Sequence, residues 1–346
     1  METPILCKNG ARPTQSASGG LLLPTKFLSL MDQKLRASNN KKIQEIKTDA
    51  LTWVHVSRAT TAETDELRRR FGFSELDLKD VLPPTQRPKL IPRNDYLFMI
   101  LIYPVFDEKT RQTRLSEVDF FMNGNLLVTV NDGDDVKTIS ALFEECQKDQ
   151  ATRVQYFAQT PALLLYEILN RTLSKIFPML IHVGNDIDEV ERDILTQYGR
   201  ETISEILRLK TNLVDVRRAM QQQPTVIEKL IIKAPEFFSI AKLRIYFNDL
   251  VEHNHEIWDT LESHKDAINA LHETNESLLS LRINEIIKTL TVFSVLLLPM
   301  TLVTGIWGMN LAVPLTNHPY GFGIVLAIVG AVGGTLLLIF KRKRWL

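Results

Sequence analysis

Hydrophobic and polar residues follow two regimes along this chain. Up to about Asn284 charged residues recur every few positions, whereas from Leu290 to Phe340 there is no Lys, Arg, Asp or Glu. A helix needs about 20 apolar residues to cross a bilayer core, and both Leu290 to Trp307 and Tyr320 to Phe340 have that length and character. The crossing between them, Asn310 to Pro319, is short, so the two spans form a hairpin with both ends on one side. Lys288 before the first span and the tail Lys341-Arg342-Lys343-Arg344 place that side in the cytoplasm by the positive-inside rule.

The spans differ in pattern. The second is uniformly apolar, with Gly330, Gly333 and Gly334 where small residues let helices approach, and reads as an outer, lipid-facing helix. Stepping three and four residues along one face of the first gives Asn284, Ile287, Thr291, Ser294, Leu298, Thr301, Gly305 and Gly308, a small and polar stripe broken by two aliphatic positions. Polar groups at membrane depth turn toward protein or a water-filled cavity. One chain has too few helices to enclose a cavity, but a ring of first spans does. The plainer alternative is that Thr and Ser bond back to their own helix carbonyls and pack against a neighbour. Pro299 lies mid-span, and its missing N–H leaves a carbonyl one turn earlier free, which favours a helix beside protein or water.

The charged part begins with a mixed α/β pattern. Leu51 to Val56 alternates as a strand; Thr61 to Phe71 reads as a helix closed by Gly72; Ser74 caps another helix ending at Pro83-Pro84. Tyr96 to Val105, Leu115 to Met122 and Asn125 to Val130 are strands, the last two joined by an Asn123-Gly124 turn. From Pro161 the period is helical: Pro161 to Tyr198 broken by Gly199, then Glu201 to Gln222 ended by Pro224. From about Phe237 the helical pattern runs into the first span, roughly 70 residues or about 100 Å at 1.5 Å each. Along it Leu243, Leu250, Ile257, Leu271 and Leu278 recur in heptad step, with Phe247, Leu261 and Ile268 four residues after such positions, a seam that calls for partners.

Composition adds exclusions. The 346 residues carry 41 basic and 41 acidic side chains, so no net charge draws the chain to nucleic acid. Cys7 and Cys146 lack disulfide, redox or zinc spacing. No phosphate loop, nucleophile elbow or HExxH run occurs, which leaves an enzyme reading unsupported. The first 21 residues lack an apolar core of signal-peptide length, so the charged part is expected to stay on the side where it is made. Asp186, Asp188, Glu189, Glu191 and Asp193 read first as a solvated helix face and second as a means of drawing cations to an inner pore mouth. His253, His255, His264 and His272 do not converge on a zinc site.

The first span ends in Thr304-Gly305-Ile306-Trp307-Gly308-Met309-Asn310. Together with Asn284-Glu285-Ile286-Ile287-Lys288, Pro299, a second span and a basic tail ending Trp345-Leu346, this resembles the CorA family of magnesium channels, marked by Gly-Met-Asn at the outer pore mouth. Asp80-Val81-Leu82, Gln86-Arg87-Pro88-Lys89 and Tyr96 to Leu101 are similar to that family's cytoplasmic domain. The resemblance covers most of the chain from about Leu51.

It implies an α+β membrane protein assembled as a homopentameric funnel. Its parts are a loose extension (1–25), a cytoplasmic α/β domain (26–160), cytoplasmic helices (161–236), a stalk continuous with the first span (237–309), an external loop (310–319), the second span (320–340) and a basic tail (341–346). The function implied is passive uptake of Mg²⁺, with Co²⁺ and Ni²⁺ as further ions, through an axial pore in the cell membrane. Gly308, Met309 and Asn310 form the mouth, Thr291, Thr301 and Gly305 line the pore, Leu290 and Leu298 constrict it, and Asn284 forms an inner ring. Asp80 and Asp249 match a divalent-ion site between subunits through which cytoplasmic Mg²⁺ holds the pore shut; Lys79 stands beside Asp80 where relatives can carry an acid. No prosthetic group is implied. The partners are lipid, divalent ions and further copies of the chain, with no nucleic acid. The loop Leu311 to Pro319 lacks the acids that many members carry. Two other readings stay open: a transporter of zinc or another transition metal, with or without proton coupling, and a non-conducting membrane sensor or scaffold.

Overall fold

The computed structural model describes residues 42–133, 136–157, 160–196, 200–309, 314, 318–343 and 345. The expected N-terminal extension, Asn310 and most of the loop after it lie outside the described residues. One compact unit takes in the described residues up to Val105 with Ser116–Thr172 and Gln222–Val251. The other takes in Phe106–Leu115, Leu173–Gln221 and the described residues from Glu252 onward.

The first unit is built on a six-stranded sheet of β1 (Ile43–Lys47), β2 (Thr52–Ser57), β3 (Lys89–Pro92), β4 (Leu97–Asp107), β5 (Gln112–Met122) and β6 (Leu126–Asn131) in the order β1-β2-β6-β5-β4-β3. β2 and β6 are parallel, and β5 pairs antiparallel with β6. On one face Val54, Val56, Phe98, Ile100, Phe121, Val128 and Val130 meet Leu67 and Phe73, with α1 (Thr61–Phe71) and α2 (Glu75–Asp80) as cover. On the other, Trp53 meets Phe143 of α3 (Lys137–Lys148) edge-on at 4.9 Å and Phe157 of α4 (Gln150–Phe157) at 6.4 Å. Burying each such ring contributes roughly 1.5–3 kcal/mol. The polar tips are satisfied, since Trp53 Nε1 donates to Thr129 Oγ1 at 3.1 Å.

Gly72 closes α1 at φ +71°, and the Ser74 hydroxyl accepts from Leu76 N to open α2. Asp77 is fully buried; its carboxylate takes Arg93 Nε at 2.9 Å and the Tyr96 hydroxyl at 2.7 Å, tying α2 to the end of β3 and the start of β4. Burial, then the hydrogen bond to Asp77, push the Tyr96 hydroxyl up to about 12.

The helical part departs from the sequence reading in three places. Pro161 to Tyr198 is two helices, α5 (Pro161–Ser174) and α6 (Ile176–Thr196). Pro178 explains the break, because its ring has no N–H and clashes with a carbonyl four residues earlier, so it fits only in a first turn. Pro224 likewise opens a helix, α8 (Gln223–Lys233), after α7 (Arg200–Met220). The long helix α9 starts at Arg244 rather than Phe237 and runs 64 residues to Trp307, and α10 covers Gly321–Arg342.

The heptad seam has a different role from the one expected. Leu250, Ile257, Leu261 and Ile268 are buried within the chain itself. In the second unit α9 lies against α6 and α7: His264 Nε2 is 3.1 Å from the carbonyl of Leu180, and Arg217 sits over the Trp258 ring at 5.0 Å while pairing with Glu262. The seam from Phe247 to Leu271 is therefore filled within the chain, and only Leu243 and Leu278 at its ends stay half-covered. Asp186 of the acidic run is also engaged, meeting Arg208 at 2.9 Å and Arg111 at 3.4 Å, rather than standing free to draw cations.

Candidate functional site

From Leu281 onward α9 changes character. Its large apolar side chains are mostly exposed, including Leu290 at 66% and Leu298 at 69%, and this stretch with α10 gives two helices long and apolar enough to cross a membrane. Besides Lys288 and Thr291, the covered positions of α9 here are Val292, Leu296, Pro299, Met300, Val303 and Trp307. On α10 the covered row is Gly321, Val325, Val329, Val332, Gly333, Gly334, Leu336 and Phe340. These rows meet where the end of the Met300 side chain rests on Gly333, whereas Gly330 and Gly334 have open space around them.

The polar stripe lies on the other side of the same helix. At about 100° per residue, the mean direction of Asn284, Thr291, Ser294, Leu298, Thr301, Gly305 and Gly308 is roughly 180° from that of the covered row. α10 thus occupies the back of α9 and leaves the stripe uncovered, with every member exposed except the half-covered Thr291.

The hydroxyls of the stripe bond back within the helix. Thr291 Oγ1 donates to Ile287 O at 2.7 Å, Ser294 Oγ to Leu290 O at 2.9 Å and Thr301 Oγ1 to Leu297 O at 2.9 Å. Each oxygen keeps lone pairs and remains exposed, so it still offers an acceptor to water. At the far end Gly308 N donates to Thr304 O at 2.9 Å and Met309 N to Ile306 O at 3.4 Å, closing the helix where the Gly-Met-Asn run begins. Trp307 Nε1 donates to Pro314 O at 3.0 Å. The sequence reading gave Trp307 no role, although an indole donor at a helix end is a recognisable anchor.

Asp80 and Asp249, expected as an inter-subunit pair, lie on α2 and α9 of this chain. Asp80 ends α2 with its carboxylate 2.6 Å from Lys89 Nζ. Lys79, its sequence neighbour, pairs instead with Glu75 at 3.0 Å. The neutralising cation therefore comes from β3, which adjacency in sequence did not reveal. Asp249 is exposed on α9, and its field adds to burial in pushing the Tyr166 hydroxyl up. Among the described residues no group of three or more His, Cys, Asp or Glu side chains is arranged to hold a metal.

Over residues 48–342 the chain matches the family described as CorA-like Mg²⁺ transporter protein. The cobalt/magnesium transport protein CorA of Thermotoga maritima is 26% identical over 304 residues, which is 85% of this chain and 83% of that protein. The protein of the same description from Methanocaldococcus jannaschii is 26% identical over 310 residues, covering 88% and 95%. The complete structure of the CorA magnesium transporter from Methanocaldococcus jannaschii has a TM-score of 0.75 at 26% identity, over 88% of this chain and 94% of that one. The full-length CmaX protein shares the fold, with a TM-score of 0.67 at 19% identity over 87% and 90%.

Proposed function

We propose, on the premise that this chain belongs to the CorA-like Mg²⁺ transporter protein family, that it conducts hydrated Mg²⁺ passively into the cytoplasm through a pore on the axis of a homopentamer. The observation that carries this is the division of α9 into two faces, one packed on α10 and one polar and open. Copies arranged around an axis with α10 outermost against lipid would turn the open stripe inward.

Mg²⁺ gives up its water reluctantly, so neutral oxygens can select it as a hydrated ion. Asn310 with the Gly308 and Met309 backbone supplies such oxygens at the mouth, Thr291, Thr301 and Gly305 offer them along the wall, and Asn284 supplies an inner ring. Leu290 and Leu298 would close the pore by dewetting. Cytoplasmic Mg²⁺ between Asp80 of one subunit and Asp249 of the next would hold the closed state, because the ion bridges two carboxylates across the interface.

The test is uptake by vesicles bearing the purified protein, run across Mg²⁺, Co²⁺, Ni²⁺ and Zn²⁺. Mg²⁺ flux that Asn310→Ala abolishes is expected. Undiminished flux in that variant sinks the pore assignment; Zn²⁺ flux that follows a pH gradient replaces magnesium with proton-coupled zinc; no flux from intact oligomers makes the protein a sensor.

A further inference from the structure

At one end of the sheet lies a cavity of about 170 Å³ whose lining includes Arg58, Glu117, Asp119, Asn131 and Asp132. It stands at the carboxyl ends of the parallel strands β2 and β6, where Ser57 pairs with Asn131, and Asp119 of β5 lies opposite Val130. Sheets with parallel strands commonly hold ligands at such ends.

Two oxygens set this cavity apart. Asp119 and Asn131 are 3% and 2% exposed, and the Oδ1 atom of each is buried without a hydrogen-bond partner. A buried acceptor without a donor keeps the full cost of its desolvation. Asn131 is not free to turn away, because its Nδ2 donates to Gly133 O at 2.7 Å. The Glu117 carboxylate beside them accepts from the backbone N–H of Gln86. Lys89, whose charge reaches both acids, is already paired with Asp80 at 2.6 Å. Glu117 and Asp119 share a side-chain hydrogen bond, and Arg58 is the one basic residue among the described lining. Two acceptors without a partner thus share one acid-rich hollow.

We infer that this cavity binds a hard divalent cation of the Mg²⁺ class within a single chain, with Asp119 and Asn131 as oxygen ligands and Glu117 as the second carboxylate. Mg²⁺ is commonly held by one or two carboxylates while keeping several waters, and a water takes about 30 Å³, so the hollow suits an ion that stays partly hydrated. The site differs from the Asp80–Asp249 pairing in being complete within one chain.

Fe²⁺ with ascorbate and peroxide, used in place of Mg²⁺ on the full-length protein in detergent, cuts the backbone beside bound metal. Cuts mapped by mass spectrometry are expected around residues 117–119 and 130–132. They should be suppressed by excess Mg²⁺, reduced at least tenfold in Asp119→Asn and unchanged in Asp249→Asn. Where Asp119→Asn fails to assemble, Glu117→Gln is read by the same criterion. The absence of cuts there in the wild type, or their persistence in the assembled variant, overturns the site and leaves the hollow to water or to a proton shared by the two acids. Ion flux plays no part in the readout, so failure of the pore reading would not alter it.

Discussion

The end of the Met300 side chain on α9 occupies the space that a β-carbon on Gly333 of α10 would need. This contact joins the two membrane helices face to back, and it makes the three glycines of α10 unequal. Gly333→Ala should cost well under about 1 kcal/mol, because only the flexible tip of Met300 has to move, whereas Gly333→Leu overpacks the contact by about 1–3 kcal/mol. Gly330→Leu and Gly334→Leu should disturb the hairpin far less. Thermal unfolding of the full chain in detergent reads the series, and adding Met300→Ala to Gly333→Leu should restore most of the loss. Equal penalties at all three glycines would refute the packing.

The membrane hairpin was legible in the sequence because charge depletion over some 50 residues has no soluble counterpart, and the Gly72 and Ser74 caps were legible because single residue types dictate them. The break between α5 and α6 is written in the sequence at Pro178, and Ile139, Leu142, Phe143 and Cys146 mark α3 as a helix with one buried face. The purpose of the heptad seam could not be read in this way. Period alone says that a face is covered, and only the placement of His264 against Leu180 shows that the cover belongs to the same chain. The pairing of Lys89 with Asp80 is not legible from spacing, because the return of β3 after α2, not helical periodicity, brings the two together.

Lys89 holds Asp80 in a partly exposed ion pair at 2.6 Å. Such pairs contribute about 0.2–1 kcal/mol. If Asp80 is a regulatory cation ligand, Lys89→Gln frees its carboxylate and should lower the Mg²⁺ concentration that half-closes the channel by up to about fivefold. Lys79→Gln should do less, since Lys79 is engaged with Glu75. Flux into vesicles titrated with Mg²⁺ on the cytoplasmic side decides between them, and an unchanged midpoint in Lys89→Gln would count against Asp80 as a ligand.

Glu63 stabilises the start of α1 by accepting the backbone N–H of Thr60 at 2.8 Å. Burial pushes its carboxyl up, but the hydrogen bonds from Thr60 outweigh burial and hold it below its ordinary value of 4.5. The folded value is the lower one, so this stabilisation is complete above the ordinary carboxylate range and fades as pH falls through the folded value. Glu63→Ala should therefore cost about 0.5–2 kcal/mol near neutrality, and the gap to wild type should close in acid. Urea unfolding of both proteins at several pH values measures it; a gap independent of pH would show that packing, not charge, is what the substitution removes.

The two faces of α9 should separate cleanly in a cysteine scan. The background is favourable: the Cys146 thiol is buried in α3, and burial, then Glu145, push it up to about 11, so little thiolate forms at neutral pH. With Cys7, which lies outside the described residues, replaced by serine, single cysteines at Thr291, Ser294, Leu298 and Thr301 should react with a cationic, membrane-impermeant thiosulfonate. Flux should fall severalfold as they do, because a cation added to the pore wall repels the permeating ion. Cysteines at Val292, Leu296 and Val303 face α10 and should stay unmodified under the same conditions. Phe293 and Ile306 are exposed in one chain but lie well off the stripe, so they distinguish a pore wall from mere exposure. If they face lipid or a neighbouring subunit, the charged reagent should not reach them. Reactivity spread evenly around α9 would mean that α10 does not shield it in the membrane, and the inward direction of the stripe would fall with that result.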